Sequence, residues 1–377
     1  MKLWKALRPV IIKEFRQVRR DPTSLGMLLF LPAALIVLVG YALNFDVKYI
    51  PMVIYDQSNT TQSRDFLKTF KQTEYFDHKF SVTTYEEIEE LFLHGQAKVA
   101  LVIPMTFAKD LLAGRDTRVQ ILVDGSDNTT AGQALAYAVG LTSNYSSSIV
   151  NQMMMRKGVK QYVPIDFRPR VWYNPDLVSS KFLVPGLIGF ILVLTAVIST
   201  SLTVVREKER GTMEQIMVSP LRPVEVILGK TIPYMIISLG AATVIIILGY
   251  ILFDVHIAGS IPLLYAGIFL LLLGALGQGL LISTVTDSQQ VAFMLSVFSS
   301  LLPSFLLSGF IFPVSSMPMV LQIISNIAVN KFFLIVVRSI MLKGDGFAQV
   351  WNQFVYMAIF ACVTLGVSSM RMQKRSV

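Results

Sequence analysis

The sequence predicts a multi-pass α-helical membrane protein with six transmembrane helices and an inserted extracytoplasmic α/β domain. Three observations predict it: a charge-poor composition, six uncharged apolar stretches of bilayer length, and one long, electrically balanced segment between the first two. Of 377 residues, 53% are apolar and 15% charged, against about 25% charged in a soluble globular chain. The net charge of +9 is not spread as a phosphate-binding face would need. Residues 1–24 carry seven Lys/Arg and two acids, whereas 46–181 carries fifteen of each sign. Basic residues gathered beside apolar spans follow the positive-inside pattern rather than a nucleic-acid footprint.

Residues 1–24 read as a cytoplasmic amphipathic helix. Trp4, Leu7, Ile11, Phe15 and Val18 recur at helical spacing, with Lys5, Lys13, Arg16 and Arg20 largely opposite and Pro9 in the middle. Such a helix either sets topology by its charge alone or lies in the headgroup region, and the placement of Trp4 and Phe15 favours the second. Span one covers 25–45. It is too long for a signal peptide and no small-residue cleavage site follows it, so it reads as an anchor.

Residues 46–180 are long enough to form a core of their own. Pro51–Asp56, Val99–Ile103 and Val119–Val123 read as strands, with helices near Arg64–Lys71, Tyr85–His94 and Phe107–Leu112. A last helix, capped by Asp127 or Asn128, is expected to run to Arg156. Strands alternating with helices indicate an α/β sheet.

Residues 181–377 supply the other spans: Phe182–Val205, Thr231–Phe253, Ile261–Val285, Val291–Phe312 and Val350–Met370, each without Lys, Arg, Asp or Glu. A bilayer core needs about 20 such residues per helix. Arg16, Arg19 and Arg20 before the first span, five cations within 206–230 and the basic C-terminus all fall on one side, so both termini are expected in the cytoplasm. Met317–Leu342 is also apolar but contains Asn326, Asn330, Lys331 and Arg338. Charge at mid-membrane depth costs several kcal/mol, and 313–349 is therefore read as two short outer interfacial helices broken near Asn330.

Several motifs have bland readings. Gly229-Lys230-Thr231 resembles the end of a P-loop, but position 224 is Val224 where that loop needs glycine, and the phosphate cradle depends on the whole turn. Gly274, Gly277 and Gly279 lie inside a span, where small residues let backbones approach. Ser296, Ser300, Ser304 and Ser308 recur every four residues, as Thr195, Ser199, Thr200 and Thr203 recur in the second span. Each row is either a packed helix contact or the wall of a moderately polar path. One cysteine and three scattered histidines offer no disulfide framework or metal spacing, and no metal is expected.

The loop 206–228 carries the strongest signal. Arg206-Glu207-Lys208-Glu209-Arg210-Gly211-Thr212-Met213-Glu214-Gln215-Ile216-Met217-Val218-Ser219-Pro220 is a charged turn leading into a short helix whose apolar face would be Met213, Ile216 and Met217. It resembles the coupling segment of type-2 ABC exporter permeases. Leu307–Pro313, Arg338–Gly344 and the large insert containing Asp124-Gly125-Ser126 are similar to the same family. The likeness runs along the whole chain and is strongest to the multidrug-efflux branch. Asn330-Lys331-Phe332-Phe333 departs from it, since relatives often have Pro and Tyr there.

The resemblance implies a non-enzymatic permease of the bacterial inner membrane that dimerises with itself or a sister chain. It also implies an ABC ATP-binding subunit as partner, which carries the ATP and Mg, with no cofactor on this chain. Glu207, Glu209, Arg210, Gly211, Thr212, Met213, Glu214, Ile216 and Met217 would meet that ATPase. Thr195, Ser199, Thr203, Ser296, Ser300 and Ser304 would flank the path of a drug-like or lipid substrate. Membrane lipid and a periplasmic adaptor are further expected partners. Among rival classes, a secondary transporter would need ionisable groups within the spans, and an intramembrane hydrolase would need a base there. The six spans hold neither. A membrane-anchored receptor displaying the external domain is the alternative that remains.

Overall fold

A computed structural model describes residues 2–42, 47–156, 172–174, 178–213 and 223–375. The chain divides into two compact units, Phe45–Pro169 and the remainder, Met1–Asn44 with Arg170–Val377.

The smaller unit is built on a four-stranded sheet in the order β2-β1-β3-β4. Strands β1 (Ile50–Asp56) and β2 (Phe76–Ser81) are parallel, as are β1 and β3 (Val99–Ile103), while β4 (Gln120–Val123) runs antiparallel to β3. Side chains alternate between the two faces of a strand, and the burial follows that alternation. Met52, Ile54, Val99, Leu101 and Ile103 pack on one face with Phe66, Phe70 and Phe107 of the helices α4 (Thr61–Lys71) and α6 (Phe107–Leu112). Val53, Ala100 and Val102 pack on the other with Ile88 of α5 (Tyr85–Leu93). Helix α7 (Asn128–Arg156) begins at Asp127, whose carboxylate accepts the backbone N–H of Thr129 and of Thr130. Ala134 and Ala138 of α7 reach the first face.

Strand β2 was not expected. Phe-Asp-His-Lys-Phe-Ser is polar because it is an edge strand, paired on one side only and buried mainly at Phe76. An edge strand carries charge outward, and that removes the apolar run by which inner strands are recognised.

The larger unit is helical. Helix α1 spans Lys2–Arg20. A short helix α2 (Pro22–Leu25), a π turn at Gly26–Phe30 and α3 (Leu31–Ala42) form the stretch expected as the first span. Its described apolar part, Gly26–Ala42, is shorter than the other spans, and its final residues lie outside those described. The long helices are α8 (Ser179–Glu209), α9 (Pro223–Phe253), α10 (Ile261–Val285), α11 (Gln289–Leu302, continued by a π turn at Pro303–Leu307) and α14 (Phe347–Arg375). Among the described residues, five helices are thus long and apolar enough to cross a membrane, or six if a pair bent by 87° counts as one span.

Helix α8 is uncharged and buried on all sides between Leu183 and Val205 because it is the central post of the unit. Lipid provides no hydrophobic drive between helices, so close approach does the packing. A Cβ at Gly279 would lie 2.7 Å from the carbonyl oxygen of Val197, and one at Gly274 would lie 2.8 Å from the Phe360 ring. The glycines of 274–279 are helix contacts.

The bent pair is α12 (Met319–Ile324) with its 3₁₀ turn Ser325–Ile327, and α13 (Val329–Arg338) with its π turn Ser339–Lys343. The break falls at Ala328, whose backbone is extended, two residues before Asn330. The polar residues of this segment are bonded internally. Asn330 Nδ2 donates to Ser304 O at 3.3 Å, and Lys331 Nζ donates to Ser325 Oγ and Asn326 Oδ1, both at 2.8 Å. The Arg338 guanidinium donates to the carbonyls of Gly309 and Phe310 at 3.3 Å and stacks 3.6 Å from the Phe182 ring centroid.

Candidate coupling site

The charged run Arg206–Met213 closes α8, and its sequence explains the stop. Arg210 and Gly211 donate their N–H groups back to the carbonyls of Arg206 and Lys208, and Gly211 sits at φ 68°. That left-handed conformation is cheap only for glycine. Thr212 Oγ1 donates to Glu207 O at 3.2 Å. Arg-Gly-Thr is therefore a helix terminator, satisfying carbonyls that the last turn would leave open.

Of the four charged side chains before it, Arg206, Glu207 and Lys208 turn back into the protein, and the exposed Glu209 bonds the start of α11. Arg206 pairs with Asp21, just beyond α1, and donates to Gln289 Oε1 at 3.2 Å. Lys208 donates to the carbonyls of Ser283 and Thr286, capping α10 at its C-terminus. A cation at that helix end also meets the negative pole of its dipole. Glu209 accepts the backbone N–H of Gln289 at 2.7 Å and its side-chain amide, so it caps the start of α11.

Glu207 is 3% exposed and accepts from Lys230 Nζ at 2.5 Å and from Lys13. Lys230 is 1% exposed and donates also to Glu14 Oε1 at 3.0 Å; Glu14 is fully buried. Two carboxylates and two ammonium groups thus neutralise each other where α1, α8 and α9 meet.

Two residues expected to face a partner stand differently: Glu207 is internal and Met213 is buried, whereas Glu209 is exposed and bonded to α11, and Arg210 is exposed. Glu214, Ile216 and Met217 lie outside the described residues. Glu14, Lys13, Lys230, Asp21 and Gln289 were missed by sequence reasoning. Glu14 had left a signal: among the described side chains of α1, Leu7, Glu14 and Val18 are the buried ones, and an acid spaced with the apolar stripe calls for a buried cation. The side chains of Trp4 and Lys5 are not among those described.

The hydroxyl rows are enclosed within the chain. Ser296 Oγ lies 2.5 Å from Ser201 Oγ, and Ser300 and Ser308 bond carbonyls of their own helix. Thr203 Oγ1 meets Tyr234 OH at 2.7 Å and Thr195 bonds Ile191 O. Ser304 is buried, with its carbonyl receiving Asn330, and Ser199 Oγ is buried without a partner among the described residues. In this arrangement the serine row of α11 meets α8 at Ser296 and Ser201, while Thr203 of α8 faces α9. Among the described residues no three His, Cys, Asp or Glu side chains converge to hold a metal ion.

The fold and this junction define a multi-pass helical membrane protein whose helix ends are knotted together around one short charged connection. The family model described as "ABC-2 family transporter protein" matches residues 22–369, and the chain belongs to that family. It is 30% identical over 374 residues to the "Probable multidrug ABC transporter permease YbhS" of Escherichia coli K12, covering 99% of this chain and 98% of that relative. It is 29% identical over 376 residues to the YbhR permease of the same strain, described in the same words, covering 100% and 99%. It is 26% identical to the "Inner membrane transport permease YhhJ" over 96% of each chain. The protein is accordingly the transmembrane subunit of an ABC transporter, and family membership implies an ATP-binding subunit and a permease partner.

Proposed function

We propose that this chain couples ATP hydrolysis by a separate subunit to the export of a hydrophobic or amphiphilic molecule, drug-like or lipid. One observation carries the proposal: the ends of α8, α9, α10 and α11 are tied together by the charged residues preceding the loop 210–222, so a push on that loop reaches four helices at once. On this reading Arg210, Gly211 and Thr212 lead into the ATPase-docking segment, and Glu214, Ile216 and Met217 belong to it. Both chain termini lie in the cytoplasm, and the sheet unit lies on the other side of the membrane, within reach of a periplasmic adaptor. The Ser and Thr rows open toward the substrate when the transporter changes state, and a second permease completes the path. The names of the Escherichia coli relatives support the substrate class.

Co-purification in mild detergent tests the proposal. An ATP-binding subunit should travel with the chain and be lost when 212–218 is scrambled in a still-folded protein. Recovery of the chain alone, across detergents and nucleotide states, would instead favour a receptor built around the sheet unit.

A further inference from the structure

Buried charge is costly unless paired, and a half-paired cluster is worse than an apolar one. Glu14, Glu207 and Lys230 are buried and therefore held to a narrow geometry, with the exposed Lys13 at the rim of the cluster. Its members come from three elements: Glu14 and Lys13 from α1, Glu207 from the last turn of α8, and Lys230 from the second turn of α9. Glu207 and Lys230 stand on opposite sides of the loop 210–222, so Lys230 clips the loop's two ends together and Glu14 fastens α1 to that clip.

The backbone shape supports the same junction. A Cβ at Gly229 would lie 2.6 Å from Val10 Cγ1, so glycine there lets α1 lie directly on α9. The Gly229-Lys230 pair that mimics a phosphate loop is in fact the seat and the ion partner of α1. One turn further on, Tyr234 OH meets Thr203 Oγ1 at 2.7 Å, which continues the polar contact into α8.

We propose that Glu14 and Lys230 are positioning residues for energy coupling: they bind α1 to both ends of the ATPase-facing loop so that the three move as one rigid lever. This rests on the exporter reading above. It assigns α1 a moving part in the machine, in place of a passive float at the headgroup level. Neither residue touches ATP or substrate.

The test uses the full-length permease with its ATP-binding subunit in nanodiscs, with Cys362→Ala removing the native thiol. Spin labels go on Arg16→Cys of α1 and Val224→Cys of α9, both exposed positions. The expected result is a narrow distance distribution that ATP with vanadate leaves unchanged, while a label pair on Val224→Cys and Arg371→Cys shifts by roughly a helical turn, about 5 Å. Glu14→Gln keeps the shape and removes the charge; Gly229→Val keeps every charge and wedges α1 away. Either should broaden the Arg16–Val224 distribution and cut permease-stimulated ATP hydrolysis by about tenfold, within the range of coupling between linked sites, with the ATP-binding subunit still bound. A wild-type Arg16–Val224 distance that moves with nucleotide, or variants that leave both readouts unchanged, would overturn the lever. Failure of the wild-type permease to bind an ATP-binding subunit would overturn the exporter reading instead, and the nucleotide-free distributions would still judge the lever.

Discussion

The two units of this chain are built inside out relative to each other. In the sheet unit the apolar residues are internal, and ion pairs such as Lys48–Glu74 and Lys68–Asp65 stand on the surface. In the helical unit Phe30, Ile251 and Phe298 face outward while Glu14, Glu207 and Lys230 are buried. The difference follows from the solvent each unit meets. Water drives apolar groups together and screens exposed charge. A bilayer gives apolar groups no reason to hide, so specificity passes to close packing and to buried polar pairs. An ion pair is thus peripheral in one unit and central in the other.

The sharpest way to break this comparison is to unpair the central cluster. Lys230→Met leaves two carboxylates facing one ammonium, and removing one member of a buried pair costs about 3–5 kcal/mol. The permease should lose yield and melt markedly earlier in detergent. Adding Glu14→Leu and Glu207→Leu should recover much of that stability, because the only charge left is that of Lys13, whose side chain is 45% exposed and reaches water. The next effect belongs to the sheet unit. Leu101, fully buried in β3, loses about 2–5 kcal/mol on Leu101→Ala. Hydrogen exchange should rise across 47–156 and stay unchanged in α8.

A smaller effect separates the units by pH. The hydrogen bond from Lys98, with help from Ser126, holds the Asp124 carboxyl well below its ordinary range. A folded-state pKa below the unfolded value adds stability above about pH 3.9, and that stability is lost as pH falls toward the folded value. Asp124→Asn should therefore weaken protection of β4 at pH 7 and change little at the acid end, as hydrogen exchange would record. The smallest effect is at the periphery: Lys48→Ala opens an exposed pair, and the melting profile should not move measurably, since surface pairs contribute little.

Much of the architecture was legible. The long helices follow from apolar length, since a helix is the one element that satisfies its backbone in lipid within a single segment. Strands β1, β3 and β4 follow from β-branched runs. Strand β2 did not show because Asp77, His78, Lys79 and Ser81 interrupt its apolar pattern, whereas β4, the other edge strand, keeps an Ile-Leu-Val run. At the coupling run the sequence announced charge and a helix stop at Gly211, but not where the charge would point. Glu207 and Glu209 have the same chemistry two residues apart, and that spacing turns one inward to Lys230 and the other outward to Gln289.

The sequence by itself determined which segments are apolar enough to lie in a membrane, where the sheet unit interrupts them, and that α8 ends at an Arg-Gly-Thr stop. Each is a property of local composition and backbone preference. Tertiary structure decided that Glu14, Glu207 and Lys230 share one cluster and that the serine row packs on α8. Residues 14, 207 and 230 are brought together by helix packing, and no pattern local to Glu14 encodes a partner 216 positions away in Lys230.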